Sequence, residues 1–244
     1  MFYNNIVYNL SIRLEWYVLL SELLSGQMDL FGVITYILSS LVVIFLTLPI
    51  HEFAHGFAAT KLGDPTPRYQ GRLTVNPFAH IDYIGALCII LFGFGWAKPV
   101  GVNAYNFRRP KRDMAITAFA GPLSNLIVAL IALILFNLCG FVYSSLTIAI
   151  IFYIAYFFLF IAQINISLAV FNLIPIPPLD GSRILFAILP DKYYYKLMRY
   201  ERYIYYGLIA LIFLGALDVP LNTASNFIFG LLNTVASLPF KFLG

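Results

Sequence analysis

Apolar positions in this chain do not alternate with polar ones at the period of a surface helix or a half-buried strand. They run on in long uncharged blocks. From Leu30 to Thr60 the only formal charge is Glu52. A helix of that length measures roughly 46 Å at about 1.5 Å per residue, more than a hydrocarbon core of about 30 Å. The block predicts one crossing helix that overshoots and stops at Lys61-Leu62-Gly63-Asp64-Pro65, where glycine and then proline cannot prolong it. Met114 to Leu179 holds no Asp, Glu, Lys, Arg or His, room for two spans joined by a turn expected near Asn137-Leu138-Cys139-Gly140. Tyr203 to Leu217 predicts a further, short span. Val219 to Phe240, between Pro220 and Pro239 and dotted with Asn222, Asn226 and Asn233, predicts a span or an interfacial helix.

The run Tyr83 to Ala97 is different. It is short for a span, carries Gly85, Gly93 and Gly95, and is followed by Lys98-Pro99. It is expected to enter and leave by one face, leaning on other helices because lipid does not tolerate exposed non-helical backbone. A re-entrant β-hairpin with one free edge meets these conditions. The alternative is a short interfacial helix. The fold class is therefore an all-α polytopic membrane protein, with four to five transmembrane helices and one re-entrant segment. It divides into an N-terminal interfacial segment (1–29), a membrane core (30–217) and a C-terminal span or interfacial helix (218–244). The first segment, with Arg13, Glu15 and Glu22 inside its apolar stretch and no basic leader, does not read as a signal peptide.

Composition excludes a soluble domain. Of 244 residues 61% are hydrophobic and 11% charged, too few charges to cover a water-facing exterior. The net charge of +4 is a topology signal and no sign of nucleic acid. Of 15 basic residues, 13 fall in three loops, 61–72, 98–112 and 183–202, which places those loops on the cytoplasmic side of the cell membrane. Cys88 and Cys139 lie far apart in apolar runs and read as membrane filler.

Two of the three histidines stand in His51-Glu52-Phe53-Ala54-His55. Spacing i, i+4 on a helix puts both imidazoles on one face, where they take two corners of a tetrahedral zinc site, while Glu52 accepts a proton from water. Catalytic zinc sites usually have a third protein ligand. The uncharged block ends at Asn172-Leu173-Ile174-Pro175-Ile176-Pro177-Pro178-Leu179-Asp180-Gly181, where three prolines stop the helix and leave an unwound segment that can aim Asp180 sideways.

HEFAH together with NLIPIPPLDG resembles the site-2 protease family of intramembrane zinc metalloproteases. GRLTVNPFAHIDYIG, FGWAKPVGVNAYNF and FAGPLSN are similar to stretches of its compact bacterial members. The resemblance implies a zinc endopeptidase that hydrolyses bonds in or near transmembrane segments of other membrane proteins. One Zn²⁺ would be held by His51, His55 and Asp180, with Glu52 as the base. It matches the family's GxxxN motif to Gly121 through Asn125, so that Asn125, and likewise Asn172, would face substrate. Gly101 and Ala104 stand where compact members often have proline, and no PDZ domain is inserted between Asn125 and Asn172. The rival reading is a non-proteolytic membrane metal protein, such as a divalent-metal transporter. It leaves unexplained a base beside two rigid ligands and a hairpin without ionisable residues. His80 is expected to bond its own loop, and Lys98 to act as an interface anchor.

Overall fold

The structure, a computed structural model, describes residues 30–92, 95–190, 192 and 199–241. The expected 1–29 interfacial segment lies outside them. Nine helices account for most of the described residues, and no strand occurs among them. Among the described residues three helices are long and apolar enough to cross a membrane: α1 (Leu30–Lys61), α5 (Pro110–Leu146) and α6 (Ala149–Asn172).

Helix α1 runs to the predicted stop, where Leu62 closes it and Gly63 turns the chain at φ 109°. Its ladder widens to a π turn at Val43–Thr47, with the Leu48 N–H reaching Val43 O five residues back. Pro49 follows directly and has no N–H to give the turn before it, so the wider turn absorbs that defect just ahead of HExxH. Beyond α1 come two one-turn helices, α2 (Thr66–Tyr69) and α3 (Pro77–His80).

The run expected as a β-hairpin is helical over Tyr83–Phe92, α4. Asp82 starts it, accepting from the N–H groups of Ile84 and Gly85 at 3.0 Å each, and so satisfies donors that a strand would have left to a partner. The two ends of the run nevertheless come together. Ile81 and Ala97 form an antiparallel bridge, and the Lys98 N–H donates to His80 O at 2.7 Å, so both ends of the run meet. The glycines serve this close return rather than breaking a helix: a side chain at Gly85 would strike the Trp96 backbone, and one at Gly95 the Gly85 carbonyl. Helix α4 leans on α1, with Ile89 fully buried and the Tyr36 hydroxyl donating to Ile89 O at 3.2 Å.

Helices α5 and α6 form the expected hairpin, but the turn is at Thr147 and Ile148 rather than near Asn137 to Gly140. Asn137 does not end α5, because its amide donates to Leu133 O at 2.7 Å within the helix and to Asn233 Oδ1 at 3.0 Å across to the last helix. Helix α7 (Asp180–Ile188) packs on α5. The short span expected at Tyr203 to Leu217 is α8 (Glu201–Phe213), whose 13 residues extend only about 20 Å. Helix α9 (Asp218–Lys241) continues through Pro239 and lies along α5 and α6.

Candidate metal centre

Helix α5 packs against both elements that carry the predicted ligands, the second half of α1 and α7. Gly121 makes the first contact possible. A Cβ there would run into His55 Nε2 and His51 Cε1, so only glycine lets the α5 backbone pass the two imidazoles. Gly181 does the same for the third residue: a side chain on it would meet the carbonyls of Leu173 and Ile174 where α6 ends. Asp180, the first residue of α7, is thereby brought back against α1.

The outcome is a compact donor set. His51 and His55 are buried, and Asp180 is 15% exposed at its side chain. His55 Nε2 lies 3.0 Å from His51 Nε2 and 3.2 Å from Asp180 Oδ2, and His51 Nε2 lies 3.4 Å from the same oxygen. Tetrahedral zinc with bonds of about 2.0–2.1 Å puts its ligand atoms about 3.3 Å apart, so the three atoms fit that ion without rearrangement. The other ring nitrogen of His55, Nδ1, is 2.7 Å from Thr117 O. A carbonyl only accepts, so Nδ1 carries the proton and Nε2 keeps its lone pair for a metal.

Glu52 is buried beside this set, and its Oε2 accepts from the Val100 backbone N–H at 2.8 Å. Asn125 is fully buried one turn beyond Gly121, and both atoms of its amide lack a partner. Asn172 closes α6 with its amide nitrogen donating to Leu168 O at 2.9 Å, engaged with its own helix rather than with the donor set. His80 bonds its own loop, through Nε2 to Thr74 O at 2.9 Å. Sequence reasoning missed the Thr117 carbonyl and the Val100 N–H, because a backbone group carries no residue signature.

The model of peptidase family M50 matches residues 39–215, a stretch that takes in HExxH, Gly121 to Asn125 and the Asp180 motif. The chain belongs to peptidase family M50. It is 39% identical over 168 residues to the protein named "Putative zinc metalloprotease YwhC" of Bacillus subtilis, covering 69% of this chain and 75% of that one. It is 29% identical over 161 residues to "Zinc metalloprotease MJ0392" of Methanocaldococcus jannaschii, covering 63% of this chain and 35% of that one. No solved structure matches it. The protein is a membrane zinc metalloprotease of the site-2 protease family, and the group of His51, His55 and Asp180 could hold the metal.

Proposed function

We propose that this M50 protease is an intramembrane endopeptidase, cutting peptide bonds in or near the transmembrane segments of other membrane proteins. The observation that carries it is the position of the donor set. Two imidazoles and a carboxylate, within 4.8 Å of one another, are packed among α1, α5 and α7 with a buried glutamate alongside. A site on the faces of the spanning helices α1 and α5 meets chiefly other helices of the same bilayer.

His51, His55 and Asp180 would hold the zinc, which when bound would supply Lewis acidity toward a water and toward the scissile carbonyl. Glu52 takes the proton of the attacking water and delivers it to the departing amine nitrogen. Thr117 O fixes the His55 ring by its Nδ1 proton. The unpartnered Asn125 amide donates to the substrate carbonyl oxygen as negative charge builds there, and Asn172 assists once its side chain leaves Leu168 O. The substrate must unwind locally first, since a helix in lipid has its backbone groups paired internally. Helix α9 supplies a fourth crossing beside α1, α5 and α6: Leu221 packs with Val170 near the α6 end, and Phe240 meets Phe141 near the opposite end of α5. The basic loops, and with them the metal centre, lie toward the cytoplasmic face of the cell membrane.

Glu52→Gln tests the assignment. The amide keeps size and loses the basic lone pair, so zinc content should stay at the wild-type level while hydrolysis of a membrane substrate disappears. Substantial cleavage by the variant removes Glu52 from the mechanism.

A further inference from the structure

The Val100 N–H on Glu52 belongs to a segment tied down along its length. Past α4 the chain runs over the cytoplasmic half of α1, and its N–H groups point into the protein. Lys98 donates to His80 O at 2.7 Å, Val100 to Glu52 Oε2 at 2.8 Å, Gly101 to Gln70 Oε1 at 3.1 Å and Asn103 to Asp64 Oδ2 at 2.7 Å. The Val100 side chain itself rests near Gly56, one turn after Glu52. The far anchor is the strongest. Asp64, fully buried where α1 ends, also accepts from Thr66 N at 3.0 Å, Thr66 Oγ1 at 2.6 Å and Asn106 Nδ2 at 2.7 Å. A carboxylate with these bonds holds 103–106 with charge-assisted contacts that an amide cannot reproduce, since one of its two ends would face donors with a donor.

We propose that Asp64 is a positioning residue for hydrolysis, acting through the segment 98–106 to hold the Val100 N–H on Glu52 Oε2. With Oε2 occupied, the carboxylate is turned so that Oε1 is the proton acceptor, and the glutamate does not swing away between turnovers. This rests on Glu52 being the base. Asp64 itself touches neither substrate nor metal ligand. Its effect belongs in the rate of the chemical step, and not in metal binding or substrate affinity.

The test uses the full chain in lipid nanodiscs, with hydrogen exchange, zinc content and steady-state cleavage measured on one preparation. In Asp64→Asn, peptides covering 98–103 exchange faster, kcat falls about tenfold or more, KM stays within about twofold and zinc content is unchanged. Asn106→Ala removes one of the bonds onto Asp64 and shows the same pattern at about two- to threefold in kcat. It decides alone if Asp64→Asn does not fold. Faster exchange with normal kcat overturns the proposal, as does a loss of kcat that only tracks lost zinc. Glu52→Gln keeps the two ideas apart. If that variant is active, the base assignment fails. If it is dead while Asp64→Asn turns over normally, only the positioning role fails.

Discussion

Three aspartates do three different jobs. Asp180 faces two histidines, Asp82 caps α4, and Asp64 fastens a loop. Asp180→Ala should therefore strip the protein of zinc. Asp82→Ala should keep its zinc and lose about 1 kcal/mol of stability with the helix cap. Equal zinc in the two variants, measured by metal analysis, would sink Asp180 as a ligand. Gly121→Ala puts a methyl group where the two rings sit, so zinc affinity should fall by about tenfold or more, the scale seen when the surroundings of metal ligands are disturbed. Wild-type affinity would mean that α5 moves aside freely. The Asp64 carboxyl is held below its ordinary value of 3.8: burial pushes it up, but the bonds from Asn106, Thr66 and Asn103 outweigh that. Since the folded value is the depressed one, the stabilisation is complete above 3.8 and is lost as pH falls through the folded value. Exchange protection over 98–106, corrected for intrinsic rates, should be flat at higher pH and decline only below that point.

Among the elements, what was legible in the sequence was what leaves a residue signature. HExxH named both imidazoles and Glu52, the proline run named the exit that delivers Asp180, and Gly63 marked the end of α1. Position-dependent meanings were not legible. Asn137 and Gly140 read as a turn, yet Asn137 satisfies itself on Leu133 O and reaches Asn233, so α5 continues to Thr147. Gly85 and Gly95 read as helix breakers, yet each is where one stretch of backbone passes close to another, and that depends on what returns from elsewhere in the chain. The π turn of α1 follows from Pro49 only once the helix is known to continue through it. The Asn137–Asn233 pair holds α9 to the hairpin, so Asn233→Leu should cost about 0.6–1.7 kcal/mol in unfolding within lipid, the range for hydrogen bonds between membrane helices. No change would show that packing alone docks α9.

On the scale of the whole molecule, α1, α5 and α7 surround a polar centre that a bilayer would otherwise make costly, and the segment carrying Val100 fastens its glutamate. A four-crossing arrangement places the turn at Thr147 and the end of α9 on one face and Gly63 on the other. Single cysteines at Thr147 and Lys241 should be labelled from one side of sealed vesicles, and one at Gly63 from the opposite side. The most direct test is mass-spectrometric mapping of the cut bond in a single-span substrate reconstituted with the protease in proteoliposomes. An intramembrane zinc endopeptidase built on His51, Glu52, His55 and Asp180 yields a cut within the span or at its cytoplasmic edge, and none with Glu52→Gln. Cuts confined to water-exposed loops, or the same cut from Glu52→Gln, would contradict it.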